Sequence, residues 1–160
     1  MASRKNRSEA EFTDLFRRMG ATDAEDLARG EIEEDLGNLV RAGFVSQAWK
    51  QVPGSGDTAL LERWLAASRK YDGDADAVAA CDRLLTSGAN PEDLLAVIRA
   101  FMAEAVFGIA YLMDDPSFED EVLAREVRWG FYEEDADMRP LRRIGGLHEL
   151  VPALDPEPRR

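Results

Sequence analysis

The sequence predicts a mainly α fold: a single-domain bundle of about five helices around a central buried helix, with a small C-terminal β-hairpin. Three observations predict it. The first is the stretch from Asn90 to Met113, whose apolar residues recur at helical spacing. The second is a series of helix start and stop signals before it, Ser8, Gly20, Asp57, Gly73 and Gly88 among them. The third is an aromatic run, Val127 to Glu133, followed by a polar turn and a second apolar run ending at Gly145-Gly146.

The central helix opens on Asn90-Pro91, an N-cap followed by proline at the first helical position, where the absent N–H costs nothing. Glu92 and Asp93 complement the helix dipole. Leu94, Leu95, Ile98, Phe101, Met102, Ala105, Ile109, Leu112 and Met113 form one apolar face. Ala96, Ala100, Ala103, Phe107 and Ala110 form a second, of mostly small residues, so the helix reads as sandwiched within the core.

Upstream, Ser8 with Glu11 makes a capping box for a helix burying Phe12, Leu15, Phe16 and Met19. Thr22 with Glu25 repeats that pattern and opens the region from Asp23 to about Val52. Gly30, Gly37 and Gly43 interrupt this region at a cost of about 0.8–1 kcal/mol each relative to alanine. Either the helix breaks near Gly43 or the glycines admit a neighbouring backbone. The reading taken here is one helix with close packing. Pro53 to Gly56 is a loop. A third helix buries Leu60, Leu61, Trp64 and Leu65, and a fourth buries Val78, Cys81, Leu84 and Leu85. Beyond the central helix, Ser117 to Ala124 reads as one or two helical turns with Phe118 and Val122 inward. The hairpin occupies about residues 126–145, with Pro140 confining its second strand to an edge and Trp129 anchoring it to the helices. Leu147 to Leu150 makes a last short turn. Residues 1–7 form a flexible basic N-terminus, 8–151 the domain, and 152–160 an extended tail.

Composition narrows the function classes. The chain has 160 residues and a net charge of −12, from 32 acids against 20 bases. That charge repels phosphates, so no direct nucleic-acid binding is expected. It suits a protein partner with a basic surface, and it equally serves solubility alone. A single cysteine, Cys81, excludes an internal disulfide. The opening residues MASRKNRSEAEF lack an apolar core, so no signal peptide is expected. Arg99 and Glu104 interrupt the longest apolar run, so no membrane span is expected and the location reads as cytoplasmic.

Candidate chemistry is sparse. Asp114, Asp115, Glu119, Asp120 and Glu121 cluster after the central helix. They match no calcium loop, so Asp114, Asp115 and Glu119 are weak candidates for a cation beside the plainer reading of a solvated acidic loop. Glu104 interrupts an apolar helix, with Gly108 and Tyr111 on its side. Buried, it is either a perturbed acid or one half of an ion pair with an arginine. Arg99 is read as a tie to an acid on the glycine-containing helix. His148 is the only histidine, and no second one exists for a zinc site. Cys81 falls on an inner helical face and reads as a buried, inert thiol. Gly145-Gly146 lacks the context of a phosphate-binding loop, and no cofactor is expected.

The segment Arg143-Ile144-Gly145-Gly146-Leu147-His148-Glu149, with Gln47-Ala48-Trp49 and Pro91-Glu92-Asp93-Leu94, resembles a group of small uncharacterised bacterial proteins. The resemblance implies a bacterial origin and carries no activity. Three functions remain open. The first is an acidic interaction module of the adaptor, regulator or immunity-inhibitor kind. The second is a small enzyme or ligand-binding protein with Glu104, Tyr111, Trp129 and His148 lining a site between the central helix and the C-terminal segment. The third is a self-associating structural protein, possible as a homodimer.

Overall fold

The structure is a computed structural model that describes residues 7–70, 74–115 and 121–157. The chain is mainly helical, 65% by residue, with eight α-helices among the described residues and a two-stranded antiparallel hairpin near the C-terminus. In order these are α1 (Glu9–Arg18), α2 (Ala24–Glu33), α3 (Asn38–Trp49), α4 (Thr58–Ser68), α5 (Ala75–Thr86), α6 (Pro91–Asp114), α7 (Glu121–Glu126), β1 (Phe131–Glu134), β2 (Pro140–Ile144) and α8 (Leu147–Leu150). A 3-10 turn, Pro152–Leu154, follows. The chain groups into two compact units, one of Met1–Lys50 with Ala105–Arg160 and one of Gln51–Glu104.

In the first unit, the α1 capping box forms as the sequence predicts. The Ser8 N–H donates to the Glu11 carboxylate at 2.7 Å, and the Glu11 N–H donates back to the Ser8 hydroxyl. Phe12 and Phe16 are buried, and α1 packs on α2. The second capping box does not form: Asp23 is the N-cap of α2 without a side-chain bond, and Glu25 pairs with Arg17 instead.

The single helix expected over Asp23–Val52 is two, broken between Glu33 and Asn38 and not near Gly43. Asp35 and Gly37 both have positive φ, 51° and 75°, which no right-handed helix accommodates. A Cβ at Gly37 would also lie 2.6 Å from Ile144 Cδ1, so any larger residue there must displace the end of that buried side chain. Gly30 does serve close packing, since its missing Cβ leaves room for Leu36 and the Asn38 amide. With glycine at its N-cap, α3 takes its cap from elsewhere. The Glu31 carboxylate accepts the Leu39 N–H at 3.1 Å, placing negative charge at the helix N-terminus.

The hairpin rests on these helices. Phe131 pairs with Ile144 and Glu133 with Arg142, and the Phe131 ring meets Phe44 of α3 at 5.1 Å. Strand β1 begins at Phe131, so Val127 to Gly130 lead into it without pairing. Pro140 sits at the first residue of β2, where its missing N–H breaks no ladder bond inside the strand. The turn is tied by Asp135, whose carboxylate accepts the Asp137 and Arg139 N–H groups. The chain then returns over α3. Leu147, Leu150, Val151 and Leu154 are buried, and the Trp49 indole N–H donates to the Val151 carbonyl at 2.9 Å. The Val122 side chain, expected inward, is exposed; Phe118 lies outside the described residues.

In the second unit, Leu61, Leu65 and Val78 form a small core, with Cys81, Leu85 and Leu94 packed against it. Trp64 and Leu84, expected in that core, are exposed. The Cys81 thiol is half-buried and pushed up from its ordinary value, by burial first and the Asp82 charge second, with Arg69 opposing. The expected N-cap of α6 forms, with the Asn90 amide oxygen accepting the Glu92 N–H at 3.0 Å. Arg99 donates to the Pro53 carbonyl at 2.7 Å.

The main departure concerns α6 itself. The helix runs as predicted, but of its 24 residues only Leu95 and Ala110 are buried. The most apolar 18-residue window has a mean hydropathy of 1.8 and is 11% buried. By length and composition alone it is long and apolar enough to cross a membrane. The expected burial followed from counting apolar positions around the helix. That count does not say how many of those positions meet a neighbour.

Candidate functional site

The described residues bring three of the expected site residues close to the C-terminal end of α6. Asp114, the last residue of that helix, has a side chain only 6% exposed. Its Oδ2 accepts the His148 backbone N–H at 3.0 Å and lies 2.6 Å from His148 Nδ1. A carboxylate only accepts, so Nδ1 carries the proton in this contact and Nε2 is the acceptor in the neutral ring. Phe107 and Tyr111, two turns and one turn back along α6, present T-shaped contacts to the imidazole, at 6.0 Å and 5.2 Å between centroids. Trp129 is beside them in the chain path, its indole N–H donating to the Leu112 carbonyl at 2.6 Å. It therefore caps an α6 carbonyl while remaining partly exposed, which is the anchoring role expected for it.

Sequence reasoning placed Tyr111, Trp129 and His148 together but treated Asp114 only as a weak cation ligand. The signal for the Asp114–His148 contact is absent from local spacing, because 34 residues separate the two. Among the described residues no group of three or more His, Cys, Asp or Glu side chains is arranged to hold a metal ion. Asp115 is exposed, and Glu119 and Asp120 lie outside the described residues. Glu104, weighed as a buried acid, is exposed.

Chemically, a carboxylate orienting an imidazole is half of an acid–base constellation. Here it also joins α8 to the end of α6. Burial pushes the Asp114 carboxyl up, but the His148 and Leu147 backbone N–H groups and the imidazole outweigh it, holding the group below its ordinary range. A depressed carboxyl stabilises the fold at pH values above its ordinary pKa, and the effect disappears as pH falls through the folded value. Asp114→Asn is therefore expected to lose about 1–3 kcal/mol at pH 7, with the deficit shrinking below about pH 4. Urea midpoints of both proteins at neutral and acid pH check this. An equal deficit at both would remove the charge from the explanation.

A second group of charges ties the hairpin to α2. Arg142 Nε donates to Glu133 at 2.7 Å, and its Nη1 donates to the Asp35 carboxylate at 2.5 Å. Its Nη2 lies 3.7 Å from Glu31, whose side chain is 1% exposed. Arg41 likewise joins α3 to the C-terminal segment, bonding the Gly146 carbonyl, Glu149 at 2.8 Å and Asn38 at 3.0 Å. These networks account for several of the charged side chains in structural terms.

No known protein-family model matches the chain, and no curated protein or solved structure resembles it significantly. The resemblance to small bacterial proteins thus stands without a matching family model, and any functional reading rests on the geometry.

Two open clefts of about 410 Å³ each are described. One is walled by α2, α3 and α8, with Asp23, Asp26, Glu34 and Glu149 facing Arg29 and Arg41. The other lies in the second unit, between Ser55-Gly56 and the first turns of α6. Neither is lined by Tyr111, Trp129 or His148. The most extensive unusual surface is instead the outward side of α6, where Val97, Phe101, Ile109 and Leu112 are each more than half exposed and Phe101 reaches 74%.

Proposed function

We propose that this protein is an interaction module, of the adaptor, regulator or immunity-inhibitor kind, whose binding surface is the outward face of α6. The observation that carries this reading is the exposure of Val97, Phe101, Ile109 and Leu112 on one helix. Isolated exposed apolar residues are ordinary on protein surfaces, but several large ones on one side of a helix mark a contact site. An α-helix offering such a face is a standard element of helix-in-groove and helix-on-helix recognition. The net charge of −12 adds a preference for partners with a basic surface and steers their approach.

Phe101→Asp tests the reading cleanly, because a side chain this exposed contributes little to folding, within about 0.5 kcal/mol. The variant is expected to melt like the parent protein while losing at least tenfold in affinity for any partner captured by the parent. A captured partner held equally by the variant would place the binding surface elsewhere.

The Asp114–His148 contact beside Tyr111 favours a second reading, a small enzyme or ligand-binding protein with an acid–base pair at the end of α6. A small molecule that binds the parent and not His148→Gln, with the fold unchanged, would favour it over the first.

A further inference from the structure

We propose that the partner of the outward face of α6 is a second copy of the same chain, packed antiparallel about Ala103. This rests on the reading of that face as a binding surface, and it names the occupant.

The argument starts from spacing. Leu94, Ile98, Phe101, Ala105, Gly108 and Leu112 follow one another at intervals of four, three, four, three and four residues. That is the seam of a two-helix coiled coil, three heptads long. From Ile98 onward the seam points outward, whereas Leu94 packs against Leu61, Leu65 and Val78. Ile98, Phe101, Ala105 and Leu112 are exposed, and a Cβ built on Gly108 meets nothing within 4 Å.

The side-chain volumes then choose the partner. Reversing a copy of the helix about Ala103 sets Phe101 against Ala105 and Ile98 against Gly108, with Leu112 closing each end of the contact. Each central layer pairs a large side chain with a small one, which is how facing positions fill without overlap or void. A parallel copy would stack Phe101 on Phe101 and Gly108 on Gly108, giving a clash in one layer and a gap in another. The face is therefore complementary to its own reversed copy, as a two-fold contact requires.

The area suffices. With Val97 and Ile109 as flanks, the seam offers roughly 500 Å² of exposed apolar surface per copy, so a pair would bury about 1,000 Å², the lower bound for a specific interface. Charge works against the pair at its ends, where Glu92 and Asp93 of one copy approach Asp115 of the other, and at its middle, where the exposed Glu104 beside Ala103 faces its own copy. Added salt screens that repulsion, so self-association is expected to tighten with salt, whereas binding to a basic partner weakens.

The test is sedimentation of the full chain from about 1 to 500 μM, in low and high salt, for the parent, Phe101→Asp and Gly108→Leu. Leucine replaces glycine in a helix at no cost in propensity, so Gly108→Leu keeps the fold while blocking the layer opposite Ile98. The parent is expected to pass from monomer to dimer with rising concentration, more readily in salt. Both variants are expected to shift that transition at least tenfold upward. On a Cys81→Ser background, Phe101→Cys and Ala105→Cys chains mixed together are expected to cross-link to each other in preference to themselves, which reads out the antiparallel register.

A parent that stays monomeric throughout overturns the proposal, as does a dimer indifferent to both variants. A monomer that inserts into phosphatidylcholine vesicles overturns it in favour of a membrane as the occupant of α6. A monomer that captures another protein through Phe101 overturns only the self-pairing and leaves the interaction module standing. The absence of any Phe101-dependent binding overturns both.

Discussion

Replacing Trp49 by alanine is expected to lower the unfolding free energy by about 3–5 kcal/mol, the usual cost of deleting a buried aromatic side chain. Trp49 ends α3 and is only 6% exposed, and its indole bridges to the Val151 carbonyl at 2.9 Å across 102 residues of chain. Truncation opens a cavity and also leaves a buried carbonyl without its donor. Trp49→Phe separates the two effects. It keeps most of the apolar volume and loses the hydrogen bond, so it is expected to cost about 1–3 kcal/mol. Urea unfolding followed by circular dichroism measures both. A Trp49→Ala loss below about 1 kcal/mol would mean that the C-terminal segment is held to α3 by something other than this side chain.

The second large effect is expected at Arg142, also about 3–5 kcal/mol for Arg142→Met. The cause differs: no cavity is opened, but a cation is removed from beside the deeply buried Glu31, from Glu133 and from Asp35. A buried charge deprived of its opposite costs more than the pair contributes when intact. The double variant Glu31→Leu with Arg142→Met is therefore expected to be more stable than Arg142→Met alone. Its remaining deficit reflects the lost cap on Leu39, worth about 0.5–2 kcal/mol. A double variant no better than the single one would show that desolvated charge is not what makes Arg142 matter.

Both predictions concern contacts spanning a hundred residues, and that is where the sequence ran out. Local signals were legible. Ser8 with Glu11 and Asn90 with Pro91 each act through atoms a few residues away. The break between α2 and α3 was less legible. Three glycines flagged strain there, but the required positive φ fell at Gly37 and at Asp35, and the Ile144 side chain that crowds Gly37 comes from the far end of the chain. At the candidate site, Tyr111, Trp129 and His148 stood out as residue types, whereas Asp114 stood out only as part of an acidic run. Its depressed carboxyl depends on N–H groups that the fold delivers from α8.

By itself the sequence determined that this chain is mainly helical, where most helices begin, that a hairpin follows them, and that Pro91 to Asp114 is one continuous apolar helix. Periodicity and capping settle these points, because they depend on neighbours within a turn. Only the tertiary structure decided which sides of α6 are covered. An apolar face at helical spacing is the same pattern whether it meets this chain's core or waits for another surface, and only packing tells the two apart.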